Sequence, residues 1–383
     1  MHRVLLLGAG KIGRMIARLL VDSGDYEVIV GDVSPGALTR VARQSGVDTV
    51  AIDVESSRLA EAIAGCEIVI SALSFYHNRR VAEAALAAGA SYFDVTEDVE
   101  TTRLVREIAT RAGDGQIFMP QCGLAPGFIS IVAQHLTGRF DKLDAVRMRV
   151  GALPLFPTGA LKYNLTWSTD GLINEYCNPC DAIHDSRRVE LLPLEGYEEF
   201  LLDGVLYEAF NTSGGLGTLC ETLNGRVREL NYKTVRYIGH CRPVSLLVHD
   251  LRLSERRDVL KEILEGAVPV TFQDLVVTFC TVTGWQDRQL VQISDARKVY
   301  HRRISGENWS AIQITTAAGV CSAVDLFVTG HLPRRGFVRQ EQIDFDAFLA
   351  NRFGRHYASH GDSSQDPAPP ARTSNAGTKV PAL

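Results

Sequence analysis

The sequence predicts an α/β protein: a doubly wound parallel sheet, followed by a second, α+β domain that would hold a substrate and mediate dimerisation. Three observations lead there. Apolar runs and amphipathic segments alternate through the first 122 residues. The first apolar run ends in the glycine-rich turn GAGKIG at residues 8–13. From about Leu124 the alternation gives way to longer runs in which apolar and polar residues take turns.

In order, RVLLLGAG (3–10) is a short apolar run closed by glycine, the pattern of a buried strand. KIGRMIARLLVDSG (11–24) carries Ile12, Ile16, Leu19 and Leu20 at helical spacing and stops at a glycine. YEVIVGDV, DTVAIDV, EIVISALS, SYFDVT and QIFMPQCG read as further strands. GALTRVARQSG, SRLAEAIAGC, NRRVAEAALAAGA and TTRLVREIATRAG read as the helices between them. This repeat dictates a parallel sheet covered on both faces.

Beyond it, PGFISIVAQHLTGRF (126–140) reads as a helix. DAVRMRVGAL, RELNYKTVRYIGH, LVVTFCTVTGW, RQLVQISDARKVYHRR and SAIQITTAAG read as strands of a sheet with one covered face. GVCSAVDLFVTGHL (319–332) and EQIDFDAFLANRFGRHY (341–357) read as helices. The expected boundaries are a nucleotide-binding domain over 1–123, completed by C-terminal helices at about 317–357, and a substrate and dimerisation domain over 124–316. Residues 359–383, rich in Pro, Ser, Gly and Ala, are expected to be disordered.

The glycine turn follows a strand and opens a helix, the context of a Rossmann dinucleotide site. Gly8 permits the tight turn, Gly10 lets the backbone approach a pyrophosphate, and Gly13 lets helix and strand pack closely. The phosphates would lie at the helix N-terminus, where free N–H groups and the dipole favour negative charge. Asp32, 24 residues after Gly8, ends the second strand where a carboxylate accepts from the adenosine ribose. It would repel a 2′-phosphate, so NAD is expected rather than NADP. Asp53 is placed to reach the adenine. The other cofactor contacts expected are Lys11, Ile12, Val54, Ala72, Leu73, Leu124, Ala125 and Pro126, the last three on a loop before a helix whose N-terminus would face the nicotinamide.

A formal charge of −5, with 45% hydrophobic and 22% charged residues, gives no reason to expect nucleic acid or an anionic membrane as partner. No apolar run approaches the length of about 18 residues that a membrane span needs, and the N-terminus does not read as a signal peptide. A cytoplasmic protein is expected. Of eight cysteines only Cys177 and Cys180 are close, as CNPC, with nothing to complete a tetrahedral site. Reduced structural thiols and no metal are expected.

CGLAPGFISIVA, LKYNLTWSTDGLINEYCNPCDAI, EAFNTSGGLGTL and LNYKTVRYIGH occur in an order and spacing that resemble the saccharopine dehydrogenase-like superfamily, closest to its L-lysine 6-dehydrogenase branch. The resemblance covers roughly residues 1–340. It implies hydride transfer from an amine-bearing carbon to NAD and hydrolysis of the resulting imine, with a small amino-acid substrate and a homodimer or higher homo-oligomer. Saccharopine reductases typically carry GLDPG where this chain reads Gly123-Leu124-Ala125-Pro126-Gly127. The alanine removes a charge and resembles the lysine dehydrogenase form. Oxidative deamination of the lysine ε-amine is therefore the leading expectation. The alternatives are a glutamate-forming saccharopine dehydrogenase, a carboxynorspermidine-type dehydrogenase and a non-catalytic NAD-binding sensor.

An amine releases hydride only with its nitrogen neutral, which for an ε-amine of pKa about 10.4 costs roughly 4.6 kcal/mol at pH 7. A desolvating pocket and a general base lower that cost. Strand ends offer Tyr76, His77, Asp94 and Cys122, and the second domain His240 and Lys162. Tyr76, Asp94 and His240 are taken as the catalytic candidates. The resemblance assigns the substrate carboxylate to Arg236, whose fork suits it. Thr212 and Ser213, before Gly214-Gly215, form a possible second carboxylate cradle, and Trp167 with Tyr163 could wall an aliphatic chain.

Overall fold

A computed structural model describes residues 1–358. Strand and helix alternate as β1 (His2–Leu7), α1 (Lys11–Ser23), β2 (Tyr26–Asp32), α2 (Pro35–Ser45), β3 (Asp48–Ala51), α3 (Arg58–Ile63), β4 (Ile68–Ser71), α4 (Asn78–Ala88), β5 (Ser91–Asp94), α5 (Val99–Ala109) and β6 (Ile117–Met119). Local signals set the boundaries. Ser34 caps α2 through the Ala37 N–H, with Pro35 in its first turn and Gly46 in the left-handed conformation after it. Asp98 caps α5 in the same way through Thr101.

The remaining elements are α6 (Phe128–Thr137), β7 (Lys142–Pro154), α7 (Thr169–Cys177), β8 (Cys180–His184), β9 (Arg187–Leu191), β10 (Glu198–Leu202), β11 (Val205–Asn211), α8 (Leu219–Thr222), β12 (Glu229–Tyr237), α9 (Cys241–Ser245), α10 (Arg257–Ala267), β13 (Asp274–Gln286) and β14 (Gln289–Tyr300). They end with β15 (Arg302–Ile304), β16 (Glu307–Trp309), α11 (Ala311–Val328), β17 (Gly336–Phe337) and α12 (Phe345–Ala350).

The first sheet is parallel throughout, in the order β17-β6-β5-β4-β1-β2-β3. Strand order reverses between β1 and β4, and the carboxyl ends there form the crevice in which such sheets bind ligands. The second sheet runs β10-β11-β12-β7-β13-β14 and is mixed: β12 and β7 are parallel, their other neighbours antiparallel. A doubly wound α/β domain with a second, mixed-sheet domain is therefore the fold, as the strand–helix alternation predicts.

The main difference from the sequence reading is α11. SAIQITTAAG reads as a strand because Ile312 and Ile314 alternate with polar residues, yet it is the first half of one helix. Ser310 and Gln313 form a capping box, and the Asp274 carboxylate accepts from the N–H groups of Ala311 and Ile312 at 2.5 and 3.2 Å. All but two of its residues are buried, so no polar face is left to reveal helical periodicity. The expectation that no apolar stretch reaches membrane-span length is corrected here too. α11 is long and apolar enough by length and composition, but it lies against α1 and β13 inside the protein.

The C-terminal segment is also shorter than predicted. Asp344 caps α12, which ends at Asn351 in an extended conformation, and residues 354–357 form a separate 3-10 turn. The expected disordered tail, 359–383, lies outside the described residues.

Candidate active site

The glycine turn has the geometry of a dinucleotide cradle. Gly8 adopts φ +102°, and a Cβ there would lie 2.7 Å from the Ala72 carbonyl oxygen at the end of β4. A Cβ at Gly13 would lie 1.8 Å from the Gly8 carbonyl oxygen. Gly10 faces open space, and no side chain caps the N-terminus of α1. Its first N–H groups thus border an open, side-chain-free surface, which fits a pyrophosphate. The half-buried Asp32 carboxylate accepts from Ala9 N and Ser34 N, both at 2.7 Å, which fixes it beside the turn with lone pairs to spare for ribose hydroxyls. Asp53 is exposed and turns the chain through the Glu55 N–H. The Val54 side chain belongs to the core, so only its backbone is available. Lys11 is partly buried, and its Nζ reaches the Leu165 carbonyl of the second domain at 3.4 Å. Ile12, Ala72, Leu73, Leu124, Ala125 and Pro126 all line the cleft beside the turn.

That cleft, between the two domains, is partly open to solvent. Its far wall comes from β7, α7 and β12. Arg236 is 2% exposed. Its Nε donates to the Tyr176 hydroxyl at 3.1 Å, its Nη1 to Thr234 Oγ1 and the Val235 carbonyl, and its plane lies 4.7 Å from the Tyr163 ring centroid. Burial disfavours its charge, and Tyr176, Tyr163 and Glu175 around it more than offset that. Nη2 is left, 3.9 Å from Glu175 Oε2, too far for a hydrogen bond. The arginine is thus held by three sides and presents one edge to the cleft. Trp167 lines the cleft as well.

Two acids that sequence reasoning missed complete the wall. Glu97 sits three residues past β5, and Glu175 is on α7. Burial raises the Glu175 carboxyl to about 7 against the opposing pull of Arg236. Burial, with Glu175 and other acids nearby, raises Glu97 to about 8. Glu97 Oε1 is buried and without a hydrogen-bond partner. Gly171 makes room for the arrangement: a Cβ there would lie 2.3 Å from the Trp167 ring and 2.9 Å from Glu97 Oε1. Glu97 directly follows the strand segment SYFDVT, and Glu175 lies inside LKYNLTWSTDGLINEYCNPCDAI. For Glu97 the signal passed over was a carboxylate just past a strand's carboxyl end, three positions beyond the more obvious Asp94.

Several sequence candidates are not brought to the cleft. Asp94 is fully buried beneath it and accepts from Tyr92 Oη, Thr96 N and Gln121 N at 2.8–3.0 Å. Burial raises it to about 6, and its work is to tie the loops after β5 and β6 together. His240 lies behind Arg236: Tyr176 Oη is 3.0 Å from its Nε2, and its Nδ1 meets the Leu161 carbonyl at 2.6 Å. Burial, then Arg236, lowers it to about 3, so it stays neutral with both nitrogens engaged and cannot serve the substrate as a base. Tyr76 is 70% exposed, with its ring tilted against Phe75, which lines the cleft in its place. His77 pairs with Glu55 at the surface, and Lys162 donates to the Ile238 carbonyl.

The Thr212–Ser213 cradle is also corrected. Ser213 Oγ donates to the Pro179 carbonyl, and its N–H to that of Glu175. Thr212 is buried away from the cleft with its hydroxyl unpartnered. Gly214 and Gly215 are needed for close packing: a Cβ at either would lie within 2.5 Å of the Glu97 carbonyl or the Tyr232 ring. At the start of α6 the first N–H groups are not free for a ligand. The Phe128 and Ile129 N–H groups are taken by the Gly123 and Leu124 carbonyls.

All eight cysteines are free, and Cys122 is fully buried with its thiol raised by burial. His184, Asp185 and Glu229 gather at the surface, where Arg228 already pairs with Glu229.

Residues 4–117 match the saccharopine dehydrogenase NADP binding domain, and residues 123–358 the saccharopine dehydrogenase C-terminal domain. The chain belongs to the saccharopine dehydrogenase family. It resembles apo saccharopine dehydrogenase (L-Glu forming) from Saccharomyces cerevisiae in fold, with a TM-score of 0.75 at 18% identity over 92% of this chain and 98% of that one. A myo-inositol dehydrogenase from Corynebacterium glutamicum superposes with a TM-score of 0.46 at 11% identity, covering 91% and 94% of the two chains. A stretch of 177 residues, 45% of this chain, is 24% identical to the myo-inositol dehydrogenase Hyg17 of Streptomyces leeuwenhoekii, and spans about half, 53%, of that relative. The two family matches, and not the inositol dehydrogenases, mark the chain as an oxidoreductase with a nicotinamide-nucleotide-binding domain.

Proposed function

We propose that this member of the saccharopine dehydrogenase family is an NAD-dependent amine dehydrogenase that oxidises the ε-carbon of L-lysine to the semialdehyde with release of ammonia. The observation that carries the reading is the wall of the cleft: one buried arginine with a free edge, beside two carboxyls that burial raises to about 7 and about 8. Arg236 would take the α-carboxylate in a charge-assisted pair and Glu175, 3.9 Å away, the α-ammonium beside it. The aliphatic chain would run past Trp167 toward Ala125 and Ile12, which line the side nearer the glycine turn.

The bound nucleotide supplies the hydride acceptor. Glu97 takes the proton that the reacting ammonium must lose. An ordinary carboxylate of pKa about 4.3 is mismatched to an amine of pKa about 10.4, and a base near 8 closes more than half of that gap. Loss of hydride leaves a C=N bond. Water adds to its carbon, the C–N bond breaks, the nitrogen departs and the carbonyl remains. The adding water gives up a proton to solvent, and Glu97 returns the proton it holds to the nitrogen, so that nitrogen leaves as ammonium and the carboxylate is restored.

Ala125 supports lysine over saccharopine, since it adds no charge where it lines the cleft. The second reading, a glutamate-forming saccharopine dehydrogenase, draws on the family itself. Asp32 beside the glycine turn supports NAD, because a 2′-phosphate there would meet a carboxylate. We also propose that the chain forms a homodimer through the second sheet.

Purified protein with NAD and either L-lysine or saccharopine, followed at 340 nm near pH 9, tests the reading. NADH formation on lysine with ammonia appearing supports it. Turnover on saccharopine alone, with glutamate appearing, replaces it by the second reading.

A further inference from the structure

Glu208 on β11 and Arg236 on β12 stand directly opposite each other across the strand pair, so their side chains share a face with Cβ atoms about 5 Å apart. Both are buried, at 1% and 2% exposure. Opposite charges placed in this way, out of water, attract strongly and would be expected to close on each other. Here they do not: among the described residues the acid paired with the guanidinium is Glu175, at 3.9 Å. The Glu208 carboxylate is turned away and occupied by backbone. Its Oε2 accepts from Gly239 N and its Oε1 from Cys241 N, both at 2.6 Å. Those two N–H groups flank His240. One buried carboxylate therefore fixes, on either side, the residue that backs Tyr176.

The contacts beyond His240 have a fixed sense. A guanidinium only donates, so the Tyr176 hydroxyl accepts from Arg236 Nε at 3.1 Å and gives its own proton to His240 Nε2 at 3.0 Å. Nδ1 then carries the ring proton and donates to the Leu161 carbonyl at 2.6 Å. We propose that Glu208 is a positioning residue for the substrate carboxylate: it holds the turn at residues 239–241, which sets His240 and Tyr176 behind Arg236, and with its own oxygens occupied it leaves the open edge of that arginine to the substrate. The proposal rests on the reading of Arg236 as the carboxylate anchor. An ion pair between Glu208 and Arg236 would fill the edge that the substrate must reach. Two backbone N–H groups prevent it, and the same two bonds lock the imidazole that orients the tyrosine.

Calorimetric titration of the full chain, with NADH present so that nothing is turned over, compares L-lysine with 1,5-diaminopentane, which lacks the carboxylate. Glu208→Gln leaves one backbone N–H facing an amide nitrogen, and is expected to weaken lysine about five- to twentyfold while the diamine stays within about twofold. Glu208→Asp, too short to reach both N–H groups, should act in the same direction and serves if the glutamine variant does not fold. Equal weakening of both ligands marks general disruption and overturns the proposal, as does a variant that binds lysine like wild type. A second readout needs no change at position 208. In protein labelled with 15N-histidine, the His240 ring, identified by the signal lost in His240→Asn, should stay neutral with its proton on Nδ1 from about pH 5 to about pH 8. A proton on Nε2 instead would break the chain of contacts and overturn the proposal. Failure of the two ideas is separable: no NADH formation on any amine, with the lysine-specific loss in Glu208→Gln intact, sinks the dehydrogenase reading alone, and lysine turnover whose KM ignores Glu208→Gln sinks the positioning role alone.

Discussion

Replacing Glu97 by Gln keeps the shape of the side chain and removes its charge, and two readouts should move in opposite directions. The first is activity. The wild-type carboxyl, raised to about 8 chiefly by burial, is only about one-tenth ionised at pH 7, so kcat/KM should climb as pH passes about 8. In Glu97→Gln that limb should vanish, with activity at pH 9 lower by about 10²–10⁴-fold, the usual worth of a positioned base. The second readout is stability. An acid whose folded pKa lies above its unfolded value leaves the folded state with more bound protons, so stability falls as pH rises from about 4.5 to about 8 and is flat beyond. At about 1.36 kcal/mol per pH unit that interval is worth at most about 5 kcal/mol. Glu97 is partly exposed, and solvent screening reduces the figure to roughly 1–3 kcal/mol. The glutamine removes that loss, so the variant should melt a few degrees higher than wild type at pH 9 and equal to it at pH 5. Calorimetric melting at both values and an initial-rate pH profile check this. A variant that keeps the alkaline limb and activity within threefold of wild type would refute the assignment of Glu97 as base, whatever the melting shows.

Arg236→Lys loses the planar fork, and KM for a carboxylate-bearing amine should rise about 10- to 100-fold with a smaller change in kcat, measured by initial rates. Tyr176→Phe removes the hydroxyl that joins Arg236 Nε to His240 Nε2 at 3.1 and 3.0 Å. It should raise the same KM about three- to tenfold and leave kcat nearly unchanged, which separates a positioning role from a catalytic one. Asp32→Ala should weaken NADH binding and narrow its advantage over NADPH, read by fluorescence titration. Asp274→Ala removes the carboxylate that accepts from the first two N–H groups of α11, and should cost about 1–2 kcal/mol in urea denaturation without changing KM.

The nucleotide half of the molecule was legible because its requirements are local. Gly8, Gly10 and Gly13 are fixed by backbone geometry within one strand–turn–helix unit, and Asp32 by the next strand end. The substrate half was not, because its site is assembled across the chain. Glu97, Glu175 and Arg236 come from three elements separated by 78 and 61 positions, and no periodicity marks them. His240 misled for a related reason: a polar residue closing a motif marks structural necessity as readily as chemistry, and here it supports Tyr176, which supports Arg236. The register of α11 was lost because a helix buried all round shows no polar face, although the Ser310–Gln313 capping signature was present in the sequence.

The placement of α11 explains why the two halves work as one site. It begins on Asp274 at the start of β13 in the second domain, and its Gln313 donates to the Lys11 carbonyl in the first turn of α1. A Cβ at Gly319 would lie 2.5 Å from the Cys122 carbonyl and 2.7 Å from that of Gly123, so the helix backbone braces the loop that carries Leu124, Ala125 and Pro126 into the cleft. One buried helix therefore touches the second sheet, the nucleotide turn and the substrate-facing loop. The main hydrophobic core follows it, running from Val4 through Val146 and Ile314 to Tyr357 without a break between domains. Hydride transfer needs donor and acceptor carbons held within contact distance, and a 1 Å error is costly. A rigid element common to both walls supplies that constraint more directly than either sheet could alone.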